Sequence, residues 1–357
     1  MVKAIFLVFF SLLIALAITE AALRAIHYSY SPLKIEVKGN PNDWRLKHSF
    51  QDRHFVYDPD LIWRPEKNNR VFNAQGYMGK ELPAEKNDHE YRIVAIGDSN
   101  TLGWFGKERY NWPRYLEELL ASRDKTFFVV NAGVWGYASY QGEKRFEESL
   151  SLKPDMVLIS FGANDAHMVA VSDAEFTTRV FSRYKAFLYR FRVGQLIIAF
   201  LEKAMTQKKE SGKDELVHRV SVEEYKHNLT KIVEISKKNN IVCILLTRPF
   251  IGKPHDRLSW KYFAPEYVKA TVEVGKETGA PVVDIYSYFK DKEQYFADES
   301  HFNEDGHKFA AKVIYDQIES LLPGSALTNR QSKKENVDAT FGPNASLNEV
   351  LECCSTM

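Results

Sequence analysis

Between residues 91 and 322, short and nearly continuous apolar runs alternate with longer stretches whose apolar positions recur at helical spacing. The short runs are Arg92 to Ile96, Phe127 to Val130, Met156 to Ser160, Ile241 to Thr247 and Pro281 to Ile285. Unbroken apolarity, rather than alternation, is what parallel strands covered on both faces require. The helical patterns are Trp112 to Ser122, Tyr140 to Leu150, Val222 to Lys238, Pro265 to Thr278 and Glu304 to Leu321. The last carries Phe309, Val313, Ile314, Ile318 and Leu321 at helical spacing. Alternation of this kind predicts right-handed crossovers and a doubly wound α/β sheet of five parallel strands. Reactive groups in such a sheet belong on the loops beyond the carboxyl ends of the strands.

Outside this core the pattern changes. Ala4 to Ile18 is apolar except for Ser11, with Lys3 before it and Glu20 and Arg24 after it. The run is short for a spanning helix and long for a signal-peptide core, so the expectation is a retained signal anchor over residues 1–23, with a cleaved signal peptide as the alternative. Basic residues are nearly balanced across it, and the weak bias predicts export of the remainder of the chain, to a periplasmic or otherwise extracytoplasmic location. Residues 24–90 mix aromatics with turn signals such as Asp58-Pro59 and Trp63-Arg64-Pro65, which predicts an irregular, β-containing extension packed on the core.

Residues 166–221 form an insertion after the third strand, long enough to hold helix of its own. Within it Arg179, Arg183, Arg190 and Arg192 interleave with Phe181, Tyr184, Phe187 and Phe191. Three readings stay open: a helix packed on the sheet with its arginines reaching solvent, a lid over the pocket, or a helix resting on a bilayer. Residues 323–357 lose all periodicity and read as a flexible tail.

Composition narrows the partners. The 357 residues are 45% hydrophobic and 13% aromatic, which excludes disordered and collagen-like classes. Lys plus Arg number 48 against 47 Asp plus Glu, a net charge of +1, so no field steers the chain toward nucleic acid. Three cysteines are too few for a disulfide framework.

The chemistry gathers at strand ends. After the first strand the chain reads Gly97-Asp98-Ser99-Asn100, placing a serine on a tight turn between strand and helix. Asn131-Ala-Gly133-Val-Trp-Gly136 follows the second strand, Gly162-Ala163-Asn164-Asp165 the third, and Asp298-Glu-Ser-His301 the fifth. A serine hydroxyl attacks an ester only when a base takes its proton. His301 is the candidate base, and Asp298 is the carboxylate that would fix its tautomer and stabilise its cation. The backbone N–H groups of Ser99 and Gly136 and the side-chain amide of Asn164 are the candidate oxyanion donors, with Gly133 as the rival glycine. Asp98 and Asp165 read as loop-stabilising acceptors, and His167 as a solvated residue or one on the pocket rim. Asp298, His301, Asp305 and His307 can be drawn as a metal cluster, but Asp305-Gly306 marks a helix entrance and His307 reads as packing. Gly106-Lys107 is followed by Glu108, so no phosphate-binding loop is present. Neither metal nor nucleotide cofactor is expected.

These four blocks, in this order, resemble the SGNH (GDSL-type) hydrolases, and Asp58 to Pro65 with Gly76 to Gly79 resemble the amino-terminal extension of their membrane-anchored bacterial members. The resemblance covers about residues 91 to 320. It implies a flavodoxin-like three-layer α/β/α sandwich and esterase, lipase, thioesterase or carbohydrate-deacetylase activity. It maps Ser99, Gly136, Asn164, Asp298 and His301 onto the family's nucleophile, oxyanion and acid–base positions. Asn100 stands where the family's name has leucine. The expected function is hydrolysis of an acyl ester, of lipid or of acylated carbohydrate, through an acyl-serine intermediate. The alternatives are an acyl- or acetyltransferase acting on envelope carbohydrate and a non-catalytic carbohydrate-binding module.

Overall fold

The computed structural model describes residues 2–28, 30, 54–58, 60–83, 85–103, 111–123, 125–169, 171–178, 187–209, 217–251 and 265–324. The expected tail after residue 324, and Gly106 and Lys107, lie outside them. An apolar helix, α1 (Val2–Ala25), precedes a two-stranded hairpin of β1 (Phe55–Asp58) and β2 (Ile62–Pro65). The first core unit is β3 (Glu90–Gly97), the one-turn helix α2 (Ser99–Leu102) and α3 (Trp112–Leu120); β4 (Thr126–Asn131), α4 (Ser139–Ser149) and β5 (Met156–Ser160) follow. The insertion contributes β6 (Met168–Val169), α5 (Asp173–Thr178), α6 (Arg192–Lys209) and β7 (Val217–His218). The chain then completes the core with α7 (Val222–Lys238), β8 (Val242–Leu246), α8 (Pro265–Thr278), β9 (Val282–Val283), α9 (Ile285–Phe289) and α10 (Glu304–Ile318).

The five apolar runs pair in the order β4-β3-β5-β8-β9, every neighbour parallel. Every residue of β5 is buried, as a central strand covered on both faces must be. Side chains alternate between two cores. Val94, Ile96, Val157, Ile159 and Leu245 face one, with Phe146 of α4, Leu229 and Ile232 of α7 and Val274 of α8. Ile93, Ala95, Met156, Leu158 and Ile244 face the other, with Trp112 and Leu116 of α3 and Ala310 and Ile314 of α10. The result is the expected three-layer α/β/α sandwich.

The pieces around it are held by named residues. The first core also takes in Phe55, Ile62, Trp63, Phe72 and Tyr77, so the β1–β2 hairpin and the loop after it are packed on the α4 and α7 side of the sheet. α7 starts at Ser221, whose hydroxyl accepts from the Glu224 N–H while the Glu224 carboxylate accepts from the Ser221 N–H. This reciprocal cap satisfies two backbone donors that a helix start otherwise leaves open. The antiparallel stem β6–β7 brings the ends of the insertion together, pairing Met168 with His218. That stem corrects the expectation of a solvated His167. The residue is 4% exposed, because the strand returning through Arg219, whose N–H donates to the His167 carbonyl, lies over it.

Candidate active site

The loop of the candidate nucleophile forms because β3 ends at Gly97 and a helix begins at Ser99. Asp98 is the cap: its Oδ1 accepts from the Asn100 N–H at 2.8 Å. A Cβ on Gly97 would lie 2.2 Å from the Thr101 hydroxyl and 2.7 Å from the Ser160 carbonyl, so only glycine lets this turn close so tightly. Ser99 thus sits in the first helical turn at the mouth of the sheet.

His301 reaches it from the far end of the chain. Its Nε2 is 2.8 Å from the Ser99 Oγ. On the other side of the ring, Nδ1 is 2.9 Å from both Asp298 carboxylate oxygens. An ionised carboxylate can only accept, so Nδ1 carries the proton and Nε2 presents its lone pair to the serine. Burial alone would raise the Asp298 carboxyl. The hydrogen bond and charge of His301, with the N–H groups of Ser300 and His301, outweigh it and bring the group down to about 2. Asp298 therefore stays ionised at any pH at which the imidazole is neutral. The loop is a closed turn: the Ala297 N–H donates to the His301 carbonyl at 2.8 Å, and Phe296 and Phe302 bridge across it.

Two side chains to which sequence reasoning gave no role lock this loop to the Ser99 turn. Asn100 Oδ1 accepts from the Phe302 N–H at 2.9 Å. Arg248, just past the end of β8, donates from Nε to Asp98 Oδ2 at 2.9 Å and from its terminal nitrogen to the Ser300 carbonyl at 2.8 Å. Both members of the Asp98–Arg248 pair are buried. A signal existed for Arg248, because a cation following an apolar strand sits where the strand-end rule directs attention. For Asn100 there was none beyond its departure from leucine.

The loop after β4 faces the same mouth. Gly133 passes so close to the nucleophile turn that a Cβ there would lie 2.4 Å from the Leu102 nitrogen. Its N–H is bonded to Asn131 Oδ1 at 3.0 Å, which leaves Gly136 the better placed of the two candidate glycines. Gly136 has φ +74°, and its carbonyl accepts from Arg219 at 2.8 Å. Arg219 is fully buried against Asp173, Nε to Oδ1 at 3.1 Å, so the insertion delivers an ion pair to the back of this loop. The amino-terminal extension grips it from another side. Trp63 Nε1 donates to the Trp135 carbonyl at 3.0 Å, and the Tyr137 hydroxyl donates to the Trp63 carbonyl at 2.7 Å. Asn164 is oriented by its own amide, which donates to the Tyr137 carbonyl at 3.0 Å and keeps a second N–H hydrogen. Asp165 accepts from the N–H groups of Ser139 and Gly162. Burial pushes its carboxyl up to about 6 against those donors and the Arg219 charge.

His307 lies behind the site, 1% exposed, with its ring edge-on to Phe302 at 5.4 Å. Asn303 caps α10, accepting from the Gly306 N–H at 2.9 Å, so His307 belongs to the first turns of a packed helix. Among the described residues no three His, Cys, Asp or Glu side chains lie close enough to hold a metal ion. Burial, with the charges of Arg248 and His301, pushes the His307 imidazole from its ordinary 6.5 down to about 3. Between those values the unfolded chain binds a proton that the native chain refuses, so stability falls as pH drops through this window. His307→Leu should remove that share of the loss. A melting temperature followed from about pH 7 to about pH 4.5 is expected to fall less steeply in the variant, and parallel slopes would refute the assignment.

Comparison with known proteins follows the same lines. An acetylxylan esterase of Xylanibacter ruminicola is 26% identical over 259 residues, covering 69% of this chain and 47% of that protein. The chain thus spans about half the length of this relative. An uncharacterized lipoprotein of Bacillus subtilis, YqeF, is 25% identical over 217 residues, covering 55% of this chain and 71% of its own. The crystal structure of a lipase/acylhydrolase from Enterococcus faecalis aligns with a TM-score of 0.42 at 22% identity, over 65% of this chain and 97% of that one. Residues 95–309 match the GDSL-like lipase/acylhydrolase family, and the chain belongs to that family.

Proposed function

We propose that the chain is a serine ester hydrolase. The observation that carries this reading is the line of hydrogen bonds from Ser99 through His301 to Asp298. Ser99 Oγ attacks the acyl carbon while its proton passes to His301 Nε2. The carbonyl oxygen becomes an oxyanion, and the N–H groups of Ser99 and Gly136 with the second amide hydrogen of Asn164 are its donors. Collapse expels the alcohol, which takes the proton back from His301. Water then repeats the sequence on the acyl-Ser99 ester and releases the acid. Asp298, ionised and bonded to Nδ1, holds the imidazole in the tautomer that both halves need.

The acetylxylan esterase relative supports an acetylated carbohydrate as the first substrate to try. A panel of acyl esters of rising chain length, with an acetylated xylan among them, tests this, the products being analysed with and without an added sugar alcohol. The expected result is release of free acetate with turnover falling as the acyl chain lengthens. Equal rates on acetyl and long-chain esters would overturn the acetyl preference. Acetyl appearing on the sugar in preference to water would make the enzyme a transferase.

The reading includes location. The span Phe6–Ala25 has a mean hydropathy of 2.4 and is long enough to cross a bilayer by length and composition. The lipoprotein relative supports export of the domain. We read α1 as a retained anchor, because its carboxyl-terminal end is bonded into the folded domain: the Glu20 carboxylate accepts from the Val193 N–H at 2.9 Å.

A further inference from the structure

The helix that fills the insertion has two unlike faces. Gly194, Gln195 and Ile198 of α6 are buried, whereas Leu196, Ile197 and Phe200 are 42%, 44% and 73% exposed. With the half-buried Val193 these three fall at i, i+3, i+4 and i+7, a single apolar stripe turned away from the protein. Phe187 and Phe191, 57% and 42% exposed and edge-to-face at 5.4 Å, add exposed apolar surface just ahead of α6. A soluble domain rarely leaves such a stripe uncovered without a partner for it.

What covers it follows from where α6 begins. Its first turn is tied to the carboxyl-terminal end of α1 by the Glu20–Val193 bond, and the Gln195 side chain accepts from the Tyr30 N–H at 3.0 Å. Among the described side chains of α1 only Glu20 and Leu23 lose part of their exposure, so the apolar length from Phe6 to Ile18 remains clear of the domain. The eighteen residues of α1 ahead of Glu20 rise about 27 Å, close to the thickness of the hydrocarbon layer. Where it leaves the bilayer, at Glu20 to Ala25, α6 starts. Arg24 and Arg190 are exposed at the same junction and Arg192 is half-buried there, a basic rim that matches anionic headgroups.

We propose that α6 lies on the surface of the bilayer that α1 crosses, with the stripe from Val193 to Phe200 sunk among the acyl chains. The domain then has two membrane contacts, a spanning helix and an amphipathic one, and its orientation to the lipid is set by both. This rests on the anchor reading of α1.

The test uses the full chain at one copy per lipid nanodisc of phosphatidylethanolamine and phosphatidylglycerol. Cys353→Ser and Cys354→Ser leave only the buried Cys243, and a single labelling cysteine is introduced by Ile197→Cys, Phe200→Cys or, on the exposed face of α10, Lys312→Cys. With an environment-sensitive fluorophore, the positions on α6 should be quenched by iodide at least about fivefold less than position 312, and quenched by lipids carrying a nitroxide high on the acyl chain. Iodide reaching position 200 as readily as position 312 would overturn the proposal. Shielding seen only in discs holding two copies would also overturn it, in favour of a second copy of the chain. Failure of the full chain to enter discs would remove the anchor and this contact together. Ester turnover measured on the same samples separates these outcomes from the hydrolase reading, because a shielded but inactive chain leaves the contact standing.

Discussion

Ser99→Ala should abolish ester turnover and leave the fold as it is. The substitution removes one oxygen from a 4% exposed side chain in a short helix, and alanine suits that backbone. What it removes is the hydroxyl bonded to His301 Nε2, the atom on which the proposed acyl intermediate forms. Loss of a nucleophile that acts as a unit with its base typically lowers kcat by about 10⁶-fold, the remainder coming from oxyanion donors and binding. Full-chain variant and wild type should therefore melt within a few degrees of each other while hydrolysis of an acetyl ester drops to background. A fluorophosphonate probe, which reports a serine activated by its base, should label the wild type and not the variant. Retention of a tenth of the activity by Ser99→Ala would remove this serine from the mechanism.

Arg248→Met is expected to harm the protein more broadly. Arg248 is 3% exposed and compensates the Asp98 charge inside the sheet mouth, while also holding the Ser300 and Pro249 carbonyls. Methionine fills much of the volume but leaves a buried carboxylate without its cation, a change that costs about 3–5 kcal/mol. The second consequence is catalytic. Ser300 adjoins His301, so releasing its carbonyl loosens the loop that sets the imidazole against Ser99 Oγ. A displacement of about 1 Å there can lower kcat by about 10²-fold. Chemical denaturation and kinetics on the same preparation check both. Adding Asp98→Asn should return part of the stability by removing the stranded charge, though not the rate, because the Ser300 carbonyl stays released. An Arg248→Met variant as stable and as active as wild type would show that the pair holds neither loop.

Much of this molecule is legible in the linear chain. The strand from Met156 to Ser160 is apolar up to its last residue and that from Val242 to Leu246 throughout, and the amphipathic period from Val222 to Lys238 sits between breakers, so their type follows from neighbours within one or two turns. The candidate site residues stood out for a related reason: Ser99, Gly136, Asn164 and His301 each stand at a strand exit or just ahead of a helix, where a doubly wound sheet collects ligands. The apolar amino-terminal helix, too, is a local property of composition.

Other features had no local signature. The burial of His167 depends on a strand returning some fifty residues later, with Arg219 laid over it. Arg219 itself looks like one more surface cation until Asp173 and the Gly136 carbonyl are found around it. Whether the insertion packs on the sheet, covers the pocket or rests on a bilayer could not be told from the arginines and aromatics that interleave ahead of α6, since all three arrangements suit the same pattern. By itself the sequence determined which segments are strand or helix and which residue types carry the chemistry, because those depend on short-range periodicity and on the side chains themselves. Only the tertiary structure decided that Arg248 meets Asp98, that Asn100 meets Phe302, and that Trp63 and Arg219 grip one loop from two sides. Those contacts join residues 83 to 202 positions apart, or 72 in the case of Trp63 and Trp135, and they form only once the strand order brings the loops together at the carboxyl end of the sheet.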